Sequence, residues 1–577
     1  MKLIPPFKLA TLLLLLFFVA SFLVRTDTSF DQDLGRHIKL GEVILNSREV
    51  PKVNLFSYTN PEFPVVNHHY LFEIFVYLGQ QFIGVQALLW LKILIILSAL
   101  GITLSIVRKS AVFLTLPLSY IFLHVLRERT ELRPEIFSFL FTALTLLAME
   151  KLESGKRALV FSLPLIQLLW VSTHIYFPVG FSIQAVYLIS FYVKKEFKLF
   201  KLLAGVFTVS VIVSLLNPNG LQGFLYPLTV FGNYGYNIAE NQNLFLLESL
   251  NFRDPNFLFV KLSWALIIIS IFTGAFRHTL SVKNLFLCLL GLMLSVIHIR
   301  SFPYLVFISL PGVIQNFGSF KAPKWLYIPI GIVSLLIIGE SIFYLSGEYY
   351  KYSDRDYKVE VNSIEHIKKA TDFMLANDLP QPIFNNFDIG SYIIYRGFPG
   401  YKVFVDGRPE AYPKEFFKEV YIPIQEDPKA FQSINEKIKF QTIIFSYTDQ
   451  TPWAGSFLKT ITQNPDWSIV FIDDFMIILV KNDIVTQKNL VKITLENLTP
   501  ESFRFSDHVP YLKLSIFLLN TGYVKPAEAF AKKSLEIFPD SPIGNLILAN
   551  IYGRSTDFLQ ISAAQDHYQK SQGNVWW

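Results

Sequence analysis

Long apolar runs constrain this chain more than any other feature. Residues 7–24, 84–107, 111–126, 134–149, 158–174, 177–193, 202–216, 257–276, 285–297, 303–317 and 325–345 are built almost wholly of apolar side chains. Most approach the ~20 residues a helix needs to cross a bilayer, though several are short. Hydrocarbon admits only helices or closed barrels, because every backbone N–H and C=O must be satisfied internally. These runs are too long for barrel strands, so we expect a helical membrane domain of about eleven spans over residues 1–346. Only 17% of the chain is charged, against roughly 25% in soluble domains, which argues against a large cytosolic enzyme and against disorder. The first run follows Lys2 and includes Lys8, yet it is longer than a signal peptide's ~7–15 apolar residues and no small-residue cleavage site follows. We read it as a retained span.

Charge sets the orientation. Alternating spans from a cytoplasmic N-terminus leaves Arg108, Lys109, the basic residues from Lys151 to Arg157, Lys194, Lys195, Lys198, Lys201, Arg277, Lys283, Lys321 and Lys324 inside. That is the Lys and Arg excess of cytoplasmic loops. It also accounts for the net charge of +6 without a nucleic-acid partner. An odd span count then puts everything after Tyr349 outside the cytoplasmic membrane. The one cysteine, Cys288, lies in an apolar run, so neither a disulfide framework nor a thiolate metal site is expected.

Ionisable residues gather on the outer side. The loop of residues 25–83 holds Asp27, Asp31, Asp33, His37, His68, His69 and Glu73. Other outer edges carry Arg127, Arg129, Arg133, Glu135, His174, the turn-forming Asn217-Pro218-Asn219-Gly220, Glu240, His298 and Arg300. A transporter would place such groups near the bilayer midplane. Here they sit at one end of the spans, as an active site on the outer face would. Within the loop, Asp31-Gln32-Asp33 precedes helical apolar spacing at Leu34, Ile38, Ile44 and Leu45, and a second amphipathic run extends from His68 to Phe82. Two helices lying in the interface suit that pattern.

At these residues the chain resembles GT-C glycosyltransferases, the multispan enzymes that use polyprenyl-phosphate sugars, and most of all bacterial members like protein mannosyltransferases and aminoarabinose transferases. The matching pattern is Asp31, Asp33, Leu34 and His37, then Val50 to Thr59, then Asn67, His68, Leu71 and Glu73. Leu132-Arg133-Pro134-Glu135, Trp170 with His174, Leu216 to Leu221, Glu240 and His298-Ile299-Arg300 follow in order, and Phe384 to Pro413 resembles the outer domain of such enzymes. Two departures stand out: Gly35-Arg36 replaces aromatic residues, and His69 stands where an acid is expected. The resemblance implies transfer of a monosaccharide from a polyprenyl-phosphate donor to a glycan, lipid or protein acceptor. An acceptor hydroxyl attacks the anomeric carbon as the lipid phosphate leaves, so the reaction asks for a carboxylate base and for cations on the phosphate. Asp33 is the expected base, with Asp31 assisting or the pair holding a divalent cation, Mg or Mn. Arg129, Arg133 and Arg300 would take the phosphate, since a guanidinium pairs bidentately with its oxygens. His37, His68, Glu73, His174 and Glu240 would bind substrate.

Plainer readings stand beside these. Asp31 suits a helix cap, outer arginines can snorkel at helix ends, His174 can be an interfacial histidine, and Asp406-Gly407-Arg408 can be a loop closing a strand at Tyr401 to Val405. His68 and His69 are adjacent and lack the i,i+4 spacing of a helical metal site. Rival functions are an O-antigen ligase or polymerase, which would not need the two acids, and a scaffold that binds partners without catalysis.

Residues 347–485 mix helical and strand patterns and read as an extracytoplasmic α/β domain. Strands are expected at 382–385, 401–405, 441–445, 468–472 and 475–480, with Asp473-Asp474 turning a hairpin. Residues 486–577 read as a helical tail. Ala527, Phe530, Ala531, Ser534 and Pro539 match the second helix of a tetratricopeptide repeat, which makes the tail a candidate for binding a protein partner. One or two repeats are too few for a free solenoid, so the tail is expected to pack on the α/β domain.

Overall fold

The computed structural model describes residues 4–107, 112–250, 254, 256–318, 327–554 and 558–573. Arg108, Lys109, Lys321 and Lys324, four of the charges assigned to the cytoplasmic side, lie outside the described residues. All eleven apolar runs are helical over most of their described length. Four helices, Tyr70–Ser105, Phe197–Ser214, Asn256–Phe276 and Tyr327–Leu345, are long and apolar enough to cross a membrane, and five further apolar helices are shorter. Leu94, Phe272 and Leu335 are 60%, 72% and 70% exposed, an apolar rim that water would penalise and lipid would not.

The loop after the first helix forms both amphipathic helices. Gly35–Ser47 continues from a π-helical turn, Phe30–Leu34. The second helix is the outer part of Tyr70–Ser105, which breaks at Gly84 with φ at +81°. A side chain rarely adopts that conformation, so glycine lets an amphipathic segment turn into a span. The two helices cross closely at Gly41, where an added Cβ would lie 2.1 Å from the Glu73 carbonyl oxygen. A buried ion pair ties the loop's start to the span, Lys92 Nζ to Asp27 Oδ2 at 2.8 Å.

Four strands form the sheet: β1 (Ile383–Asn385), β2 (Thr442–Ser446), β3 (Trp467–Ile472) and β4 (Met476–Lys481), in the order β1-β2-β4-β3. β1 and β2 are parallel, while β4 runs antiparallel to both its neighbours. Asp473 Oδ1 accepts from the backbone N–H groups of Phe475 and Met476 and so shapes the β3–β4 turn. The strand expected at Tyr401 to Val405 is absent from this sheet. Val403 instead pairs with Ser57 of the first loop, its N–H donating to Phe56 at 3.1 Å. Its apolar side chains serve a seam between the loop and the sheet domain.

The tail is two helical hairpins, His508–Thr521 with Val524–Ile537 and Pro542–Tyr552 with Phe558–Gly573. It packs on the sheet domain, with the Phe517 ring stacked on Tyr447 at 4.6 Å. Asp354, just past the last long apolar helix, accepts from His508 Nε2 at 2.9 Å and from the Ile543 N–H at 2.8 Å, so both hairpins are anchored at one carboxylate.

Candidate active site

The two acids of the first loop turn opposite ways. Asp31 is buried, and its Oδ2 accepts the His366 N–H at 3.0 Å and faces His366 Nδ1 at 2.9 Å. Asp33 keeps 27% of its side chain exposed and meets Arg36 Nη2 at 2.9 Å and Arg133 Nη2 at 3.7 Å. Burial opposes its charge, yet Arg133 and Arg36 outweigh that and hold the carboxyl below its ordinary range.

Beside Asp33, three arginines from two separate loops converge on one carboxylate. Arg129 Nη1 and Arg133 Nη1 each lie 2.9 Å from Glu240 Oε1, and Arg300 Nη2 lies 3.0 Å from Oε2. Burial again opposes the charge, but the three guanidiniums hold Glu240 well below the carboxylate range. Arg133 also donates to Gln32 Oε1. Arg300 Nε is buried without a hydrogen-bond partner among the described residues, and Arg133 Nε has the Glu131 carboxylate at 3.4 Å. Burying a guanidinium with donors unmet is costly, so the cluster has capacity for a further anion.

Histidines form the adjoining wall. His37, one turn beyond Asp33, lies 3.2 Å from Glu73 Oε1 through Nδ1, and Asn67 Nδ2 donates to Glu73 Oε2 at 2.6 Å. Burial pushes Glu73 up to about 7 and His68 down to about 4. The rings of His69, His174 and Tyr176 stack in succession at 5.7 and 5.2 Å, and Ser138 Oγ holds His174 Nδ1 at 2.7 Å. Asn219, from the predicted turn, reaches back to the Asn67 carbonyl at 2.8 Å. The expected residues therefore form two adjacent groups, with Asp33, Glu240 and the arginines in one and His37, His68, Glu73 and His174 in the other. Asp31 faces the sheet domain instead.

Sequence reasoning passed over several residues here. The departure at Gly35-Arg36 has a physical reason: a Cβ on Gly35 would come 3.0 Å from Tyr395 Cβ, and Arg36 Nε reaches Ser391 Oγ at 3.4 Å. The Asp406-Gly407-Arg408 loop lies against Asp33, so that a Cβ on Gly407 would sit 3.5 Å from Asp33 Oδ1. Asp388 lies within electrostatic reach of Asp33 and Glu240; desolvation, and then the Asp449, Asp33 and Glu240 carboxylates, push its carboxyl up. The signal for these was the DGR triplet and the FDIG stretch before it, while nothing in the local sequence marks His366.

Asp31 and Asp33 do not assemble as a shared donor set for a cation. One carboxylate is committed to an imidazole and the other lies between two guanidiniums, neighbours that compete with a metal. Among the described residues no group of three or more His, Cys, Asp or Glu side chains gathers as metal ligands would. The expected Mg or Mn therefore finds no fit at this pair.

A helical domain with charged loops at one end, a sheet domain seated over them and a helical tail make up the fold. A similar solved structure is the archaeal oligosaccharyltransferase AglB from Archaeoglobus fulgidus, in complex with an inhibitory peptide and a dolichol-phosphate. It matches with a TM-score of 0.52 and 10% identity, over 92% of this chain and 86% of that one. At that identity the likeness is one of fold. No protein-family model matches the chain and no curated protein does.

Proposed function

We propose that this protein is a membrane glycosyltransferase. It takes a saccharide from a polyprenyl-phosphate-linked donor at the outer membrane face and transfers it to a glycan, lipid or protein acceptor. The observation that carries this reading is the convergence of Arg129, Arg133 and Arg300 on Glu240 beside the partly open Asp33. An acceptor hydroxyl would give its proton to Asp33 as its oxygen bonds to the anomeric carbon, and the bond from that carbon to the lipid phosphate would break. The arginines would take up the charge developing on the phosphate, where donors fixed in advance stabilise it most. Placing the cluster at the ends of apolar helices lets the donor's lipid chain stay in the bilayer. The fold neighbour was solved with a dolichol-phosphate and a peptide, which supports a lipid phosphate and an acceptor here.

The orientation follows from loop charge and an odd span count, so a reporter fused after residue 485 should be active outside the cell. Activity of that reporter in the cytoplasm would reject the site with the topology. Function is tested by mass spectrometry of cell-envelope glycans with and without the protein. A specific saccharide lost on deletion and restored by the wild type supports transfer, and an unchanged glycan profile supports the scaffold. The tail's hairpins, with His508 and Pro542 starting 34 residues apart, support the tetratricopeptide-like reading, whose repeat is about 34 residues.

A further inference from the structure

Between the last long apolar helix and the sheet domain runs a short segment that carries no sequence motif. The helix Glu348–Tyr352 gives way to Asp354, whose φ of +49° turns the chain. Aspartate is one of the few residues besides glycine that enter this left-handed region readily. From that turn Asp354, Arg355 and Asp356 reach three different parts of the molecule. Asp354 takes the tail, with His508 Nε2 at 2.9 Å on one oxygen and the Ile543 N–H at 2.8 Å on the other. Arg355 takes the arginine loop. Its Nη1 donates to both oxygens of Glu128 at 2.7 Å, and Glu128 lies between Arg127 and Arg129. Asp356 takes the Asp33 turn through an imidazole: its Oδ2 faces His366 Nε2 at 3.1 Å, and His366 Nδ1 faces Asp31 at 2.9 Å. Lys513 of the tail donates to the same Asp356 oxygen at 2.8 Å.

Both parts of the cleft reached in this way need holding. The Asp33 turn is π-helical, with the Gly35 N–H bonding back to the Phe30 carbonyl. Such turns are rare, and strained backbone persists only where the surroundings fix it. Asp31 supplies a fixed point, since it is buried on that turn and receives two groups of His366. Asp31 and Asp33 face opposite ways, so a rotation that released Asp31 would carry Asp33 off Arg36 and Arg133. On the other side, Arg129 and Arg133 lie in turns between helices. A side chain on a loop is placed only as well as the loop is tethered, and Glu128 is a tether within that loop. The start of the first loop is tied to the same segment, the Thr26 N–H donating to the Lys358 carbonyl at 2.9 Å.

We propose that Asp354, Arg355 and Asp356 form a crossbar through which the docked tail sets the spacing between Asp33 and the cleft arginines. The three are positioning residues, and His366 carries the last step to the Asp33 turn. The tail is then part of the scaffold of the active site. None of the three is bonded to Asp33, Glu240 or the cleft arginines, so their effect on rate rests on the transferase reading. The mechanical link does not.

Hydrogen exchange on the full chain in nanodiscs reads the link without a substrate. Asp354→Asn keeps the size of the side chain but presents one acceptor oxygen to the tail where Asp presents two. It should speed exchange of amides 508–552 and, with them, amides 28–36 and 126–133. Each should rise about 10-fold or more, as for losing one charge-assisted hydrogen bond. Unchanged exchange at 442–446 confirms that the variant is folded. Arg355→Met should speed 126–133 and leave 508–552 protected. Arg355→Lys should restore 126–133, because a single nitrogen makes both contacts to Glu128. The saccharide restored to deletion cells should fall about 10-fold in Asp354→Asn and Arg355→Met and recover in Arg355→Lys. Faster exchange confined to the tail in Asp354→Asn, or none at 126–133 in Arg355→Met, would overturn the link. Full restoration of saccharide by variants whose cleft amides have loosened would overturn the positioning role. If deletion removes no saccharide, the transferase reading fails and exchange alone decides the link.

Discussion

At the cleft, three arginines share Glu240, Arg300 Nε is left over and Arg133 Nε has only Glu131 Oε2 at 3.4 Å, while Asp33 stays partly open beside them. At the seam under the sheet domain nearly every charge has its own close partners. Arg408 grips Asp406 through Nε and Nη2, both at 2.7 Å, and adds Asn54 Oδ1 at 3.0 Å; Tyr412 donates to the same carboxylate at 3.1 Å. His366 spans Asp31 and Asp356, and Lys513 of the tail completes Asp356 at 2.8 Å, although Asp31 Oδ1 stays buried without a hydrogen-bond partner among the described residues. The same residue types thus serve two ends. Where hydrogen-bonding capacity is nearly used up, charge fixes domains together; where some is left over, charge can receive a ligand.

The contrast is most sharply broken at Asp33 and at the Arg408–Asp406 pair. Asp33→Asn should cut transfer by ~10²–10⁴-fold, the usual contribution of a general base, and leave the thermal midpoint where it was. Normal turnover in a folded Asp33→Asn protein would remove the base assignment. Arg408→Ala should do the reverse. It strands the buried Asp406 carboxylate, which costs about 3–5 kcal/mol, and limited proteolysis should find the sheet domain loosened. Replacing the pair with Asn and Met together should cost less, since no buried charge is left alone.

A smaller effect is expected within the cleft. Lysine keeps a charge but lacks the planar fork, so Arg133→Lys and Arg300→Lys should each weaken donor binding by about tenfold. Donor titration in nanodiscs checks this, and silence at both positions would favour arginines that merely snorkel.

The mildest effect is one of pH at the seam. Burial alone would lower His366, but its bonds to Asp31 and Asp356 prevail and raise it to about 9. A raised histidine contributes fully below its unfolded value of ~6.5, and that contribution is lost as pH rises through the folded value. The thermal midpoint of the wild type should therefore fall between pH ~6.5 and about 9 more than that of His366→Asn. Identical pH profiles for the two proteins would show that this bridge does not carry the seam.

The helical domain was legible because apolar length is a one-dimensional property: eleven runs near the thickness of a bilayer leave few other folds. Four of the five expected strands were legible as short apolar runs, buried on both faces. The fifth, Tyr401 to Val405, misled because a seam against another segment buries the same kind of short apolar run as a sheet. The polar residues at one end of the apolar helices marked where the cleft lies. Sequence could not say that Asp31 turns to His366, more than 300 positions away, while Asp33 faces the arginines. That choice was made by the docking of the sheet domain, which put an imidazole on one side of a single helical turn and guanidiniums on the other. That Arg300 Nε is left without a hydrogen-bond partner among the described residues was likewise a tertiary outcome. Whether a donor or acceptor has a partner depends on which distant segments are brought within 3 Å of it, and no local pattern encodes that.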